Sequence, residues 1–177
     1  MNTESTGTVV VGVDGSPGSR AALEYALDEA ARRGARLQVV VAAQLPDYWA
    51  MAYGPAAPPP VDDIVDGVRN GVQAMVDEVL AARPAQAGLV SVSVLAQAGS
   101  PAGVLLEAAE GADVLVLGHR GRGALRSALL GSVGLQCVLH APCPVTIVRP
   151  QPVREPATDR AEADRALDPP SAATIIA

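Results

Sequence analysis

Thr8-Val9-Val10-Val11-Gly12-Val13, followed at once by Asp14-Gly15-Ser16-Pro17, is the stretch that decides the fold. The apolar run is β-branched and nearly unbroken, as expected of a parallel strand covered on both faces; a strand with one wet face would alternate. The next four residues turn the chain. Ser16 suits a helix N-cap, and Pro17 suits the first helical position, where a missing N–H costs nothing. Beyond it Ala22, Leu23, Ala26, Leu27 and Ala30 recur at helical spacing, and Gly34 supplies a stop. Buried strand, tight turn and a helix over residues 17–33 open an α/β domain.

The same alternation continues. Residues 37–43 read as a second strand, and residues 61–82 as a helix whose period runs through Ile64, Val65, Val68, Val72, Met75, Val76, Val79 and Leu80. Between them, residues 44–60 hold Pro46, Pro55, Pro58, Pro59 and Pro60 with the only Trp, so this is a loop, longer than usual, that reads as a lid, a contact surface or a disordered segment. Residues 90–96 form a third strand. Gly99-Ser100-Pro101 repeats the earlier turn chemistry before a helix over 101–110, and residues 113–117 make a fourth strand. A last helix begins near Gly131-Ser132 and stops before Pro142, and residues 144–148 are a fifth strand whose leading Pro suits a sheet edge. The pattern predicts an open, mostly parallel five-stranded sheet in the order 3-2-1-4-5 with helices on both faces, spanning residues 1–150. In residues 151–177 charges alternate with Ala and Pro without an apolar period, the signature of a disordered acidic tail.

A length of 177 residues fits one domain with a tail. Apolar residues make up 49% of the chain, but Phe is absent and Trp occurs once, so Val, Leu, Ile and Ala must fill the core. No apolar run approaches the roughly 18 to 20 residues that span a bilayer, and the first residues lack the basic and apolar segments of a signal peptide; the expectation is a cytoplasmic protein without membrane contact. Cys137 and Cys143 match neither a redox CxxC pair nor a common zinc spacing and read as buried free thiols. All 13 basic residues are Arg, so Schiff-base chemistry and the Lys of a Walker A loop are excluded. A net charge of −6 argues against nucleic-acid binding. The charge is unevenly spread, however. Between Asp113 and Glu155 there is no acidic residue, while Arg120, Arg122, Arg126, Arg149 and Arg154 fall in that stretch. A donor-rich loop around Gly118, Gly121 and Gly123 therefore carries positive potential in an acidic protein, which points to an anionic ligand.

In open α/β sheets ligands bind at the carboxyl ends of strands where the winding reverses, and the predicted order puts the Asp14-Gly15 turn beside the loop from Gly118. Gly118 and Gly121 allow backbone to approach an oxygen cluster, and the helix from Gly131-Ser132 offers N–H groups and a positive dipole end. A polyphosphate fits that arrangement. The Ser132 hydroxyl either donates to a phosphate or caps its helix. Arg122 and Arg126 are placed to neutralise phosphate charge, and Asp14 either holds Mg²⁺, touches sugar or base, or only shapes its turn.

Gly118-x-x-Gly121, nine residues, then Gly131-Ser132 resembles the GxxG-x9-G(S/T) phosphate pattern of the ATP-binding branch of the universal stress protein family. Val11 to Ser16, Leu129 to Val133 and His140-Ala141-Pro142-Cys143-Pro144-Val145 extend the likeness over most of the chain. The resemblance implies an adenine nucleotide α-hydrolase-like fold and ATP, with Mg²⁺, as ligand. It implies adenosine contacts near Val13, Asp14, Gly15 and Ala42. Phosphate contacts would come from Gly118, Gly121, Gly131 and Ser132, with His119, Arg120, Arg122 and Val133 along the same path. It also implies a homodimer through the edge strand at 144–149. Ala42 and Gly134 depart from the family's usual residues. Only His119 and His140 could move protons, so a nucleotide-dependent regulatory module in the stress response is expected rather than an enzyme, with at most slow hydrolysis of bound ATP. The alternatives are a slow ATPase of the same fold or a nucleotide-free dimeric interaction module, and cyclic AMP could replace ATP.

Overall fold

β1 (Thr8–Gly12) is buried from end to end, with no solvent reaching Val9, Val10 or Val11. That burial follows from its central place in a five-stranded sheet of order β3-β2-β1-β4-β5, in which β2 is Arg36–Ala43, β3 Val92–Ala98, β4 Val114–Gly118 and β5 Val145–Val148. The four pairings of this sheet are parallel. The chain is described by a computed structural model over residues 7–44, 59–121 and 130–150. The Pro-rich stretch at 45–58 and the tail at 151–177 lie outside the described residues.

Alternate residues of β1 feed two cores, because successive side chains of a strand point to opposite faces. Val9 and Val11 join Val39, Val41, Leu23, Leu27, Val72, Val76 and Val79 under helices α1 (Pro17–Arg33) and α2 (Val61–Ala82). Val10 joins Val40, Leu115, Leu117, Val104, Leu105 and Cys137 under α4 (Pro101–Ala108) and α5 (Ser132–His140). A short helix α3 (Pro84–Ala87), which the sequence pattern does not announce, comes directly after α2. Two ion pairs tie α1 to α2 and its C-terminal end: Arg20 to Glu78 at 2.7 Å and Arg83 to Asp28 at 2.7 Å.

Expected and observed elements agree in kind and order, with shifts at the ends. β3 begins at Val92 rather than residue 90 and runs to Ala98, since its extent is set by pairing from Leu37↔Val92 to Ala43↔Ala98. α4 closes at Ala108, two residues early, and β4 includes Gly118. Both cysteines are free; Cys137 is buried, but Cys143 is only half-buried. No helix among the described residues is long and apolar enough to cross a membrane.

Candidate functional site

With β1 and β4 adjacent and the chain winding outward from them in opposite directions, the turn after β1 and the segment after β4 share one rim of the sheet. On the β1 side, Val13 continues the ladder by donating its N–H to the Val40 carbonyl at 2.9 Å. Asp14 then accepts the Ser16 N–H on Oδ1 at 3.0 Å, and Gly15 takes φ +81°, a left-handed conformation that favours glycine. The turn delivers Ser16 as the α1 N-cap, its Oγ accepting from the Ser19 N–H at 3.2 Å.

The β4 side is packed against this turn by backbone. A Cβ on Gly118 would stand 2.7 Å from the carbonyl carbon and oxygen of Gly18, and a Cβ on Gly18 would stand 2.7 Å from the Arg120 carbonyl oxygen. A Cβ on Gly121 would strike Oδ2 of Asp14. Two glycines that the sequence suggests as room for a ligand are thus also room for the first turn of α1 and for a carboxylate. Sequence reasoning missed Gly18; its signal is a glycine in the first turn of a helix, where Ala would be a better helix former.

His119 ties the rim together. Its N–H donates to the Val148 carbonyl at 2.9 Å, and its own carbonyl accepts the Gly131 N–H at 3.2 Å, so one residue connects the ends of β4 and β5 with the start of α5. Its imidazole Nδ1 is buried and has no hydrogen-bond partner among the described residues. Burial holds the imidazole below its usual pKa, and the Arg120 and Arg149 guanidiniums lower it further. Arg149, one residue beyond β5 and part of the arginine-rich stretch the sequence singles out, is brought to His119 by the fold.

α1 and α4 are each capped by a serine side chain, Ser16 and Ser100, but α5 is not: its N-cap is Gly131, with no side-chain hydrogen bond into the first turn among the described residues. Ser132 is the first helical residue and exposed, which decides against a capping role for its hydroxyl. Among the described residues, the N–H groups at the start of α5 are therefore left without a capping side chain beside the glycine segment. Val133 packs against the core beneath α5. Ala42 lies near the end of β2, half-buried on the same core face, one strand beyond β1. Asp14, Gly15, Gly118 to Gly121 and Gly131 are brought together; Arg122 and Arg126 lie outside the described residues. Among the described residues no three His, Cys, Asp or Glu side chains converge as a metal site.

The sequence model of the universal stress protein family matches residues 6–149. The chain belongs to that family. It is 34% identical over 145 residues to a universal stress protein of Thermus aquaticus, covering 80% of this chain and 98% of the relative. A relative from Mycolicibacterium smegmatis is also 34% identical, over 143 residues, but there 81% of this universal stress protein matches only 46% of the relative. The chain thus spans about half the length of that mycobacterial relative and nearly all of the Thermus one. Among solved structures, a universal stress protein in complex with cAMP superposes with a TM-score of 0.59 at 27% identity, over 80% of this chain and 96% of that one.

Proposed function

We propose that this universal stress protein binds ATP with Mg²⁺ at the carboxyl ends of β1 and β4, and that occupancy regulates its contacts during stress. The observation that carries the reading is the meeting, on one rim, of the glycine segment 118–121, the Asp14 carboxylate and the start of α5. A helix N-terminus with open N–H groups favours phosphate, and nearby backbone without side chains lets oxygens approach closely. In this reading Gly118, Gly121, Gly131 and Ser132 hold the phosphates, with His119, Arg120, Arg122 and Val133 along their path. Val13, Asp14, Gly15 and Ala42 face the adenosine. Mg²⁺ needs few protein ligands when phosphate oxygens supply the rest, so one carboxylate, Asp14, suffices. The setting is the cytoplasm, and the role is binding, with any hydrolysis slow.

The cAMP complex of a 27% identical neighbour favours a second reading, in which one phosphate replaces three. Assembly belongs to the same proposal. β5 is a sheet edge, with no strand on its outer side among the described residues, and α5 beside it exposes Leu135, Val138 and Leu139 at 50%, 48% and 66%. A second copy of the chain, added at that edge, would cover both.

Calorimetric titration of MgATP into nucleotide-stripped protein tests the binding reading, with Gly121→Ala alongside. Saturable binding that the variant loses is the expected result; absence of heat together with absence of thermal stabilisation overturns it. Competition between ATP and cAMP for the occupied protein separates the two ligands.

A further inference from the structure

We propose that His119 is a proton-linked anion contact: its imidazole takes up a proton when a polyphosphate binds at the glycine segment, so affinity for the anion rises as pH falls. The inference deepens the nucleotide-binding reading and rests on the anion half of it, not on adenine. Three observations carry it. His119 sits at the crossing of β4, β5 and the start of α5, its backbone held there by hydrogen bonds to Val148 and Gly131. Its Nδ1 is buried with no hydrogen-bond partner among the described residues. Among the described residues, the charges acting on the ring are both positive, Arg120 from its own segment and Arg149 from the end of β5. α5 brings no charge before His140, and the acidic group of the rim, Asp14, lies against Gly121.

An imidazole in that setting stays neutral at pH 7, because burial and two guanidiniums both oppose a further positive charge. A buried polar atom without a partner is costly, and here the missing partner is an acceptor once the ring is charged. A phosphate oxygen is that acceptor. A polyphosphate also reverses the sign of the local field, so the ring gains a reason to be protonated at the moment it gains something to donate to. The proton comes from solvent and stays on the ring; no covalent bond changes. By linkage, affinity rises by up to about tenfold per pH unit between the bound and free titration midpoints of the ring.

The chain has two histidines, so ring resonances are simple to assign, with His140 at the far end of α5 as internal reference. The experiment is an NMR titration of the His119 ring in the native protein, alone and saturated with MgATP or with inorganic tripolyphosphate. The result expected is an upward move of the His119 midpoint by one pH unit or more with either anion, and a tripolyphosphate affinity that tightens from pH 7.5 to 5.5 in the native protein more than in His119→Gln. An unmoved midpoint at saturation, or equal pH dependence in the two proteins, overturns the inference. If tripolyphosphate binds and moves the midpoint while MgATP does not bind, the inference stands and the ATP reading falls. If neither anion binds, both fall.

Discussion

Gly118 and His119 show how much of this site is decided by single residues. The sequence offers Gly118 as a ligand contact, whereas the fold gives its missing side chain a second cause, the α1 backbone 2.7 Å from where a Cβ would stand. Backbone cannot swing aside as a side-chain tip can. Gly118→Ala should therefore destabilise the fold itself, by about 1–3 kcal/mol as overpacking does, read by chemical denaturation. Gly131→Ala should leave the fold intact, since among the described residues the nearest atoms to its Cβ are 3.9 Å away. His119 predicts a pH effect on the nucleotide-free protein. Its folded-state pKa lies below the 6.5 of an unfolded imidazole, so between those values the unfolded chain binds more protons and stability falls as pH falls. The melting temperature of native protein should drop from pH 7 toward 5 more steeply than that of His119→Gln. Parallel curves would show that the ring titrates normally.

At the scale of elements, the three serines near helix starts part company. Ser16 and Ser100 each accept a hydrogen bond from the first turn of their helices, at 3.2 Å in both cases, while Ser132 stands one position too late to cap α5. Ser16→Ala and Ser100→Ala should each cost about 1 kcal/mol of stability, whereas Ser132→Ala should cost almost none and instead weaken MgATP binding. A comparable stability loss at all three would mean that Ser132 is structural. Much of this architecture was legible in the sequence: the unbroken Val9–Val11 run announced a doubly covered strand, and Pro17 and Pro101 marked helix starts to the residue. The end of β3 was not, because its limits come from pairing with β2, a long-range fact that a period of two carries on both sides of the true boundary. Nor was the close approach of Gly18 to Gly118, which joins residues a hundred positions apart. The rim's residue types were visible as a motif; which of them touch, and that Arg149 acts on His119, depended on the strand order.

For the molecule as a whole, assembly turns on the β5 side of the sheet. The chain carries a net charge of −6, and α2 bears Asp62, Asp63, Asp66, Asp77 and Glu78 against a single Arg69, with Asp66 and Glu78 already paired to Arg69 and Arg20, an acidic excess that opposes contact with its own copy. α5 from Ser132 to Leu139 carries no charge, and it meets the sheet edge formed by β5. Three apolar side chains are too few for a stable interface, which needs roughly 800 Å² per partner, so the helix stripe must act with the strand edge rather than alone. Two copies related by a two-fold axis would pair β5 with β5 antiparallel and set both α5 stripes on the same side of a continuous sheet, each residue meeting its own equivalent neighbourhood. Native protein should then sediment at twice the 17.9 kDa chain mass. Leu135→Glu with Leu139→Glu, both at exposed positions, should return it to the single-chain mass without lowering helix content, because two like charges are placed against their copies and none enters the core. A native protein that sediments as one chain at high concentration, or a double variant that stays paired, would remove α5 from the assembly and leave the stripe unexplained.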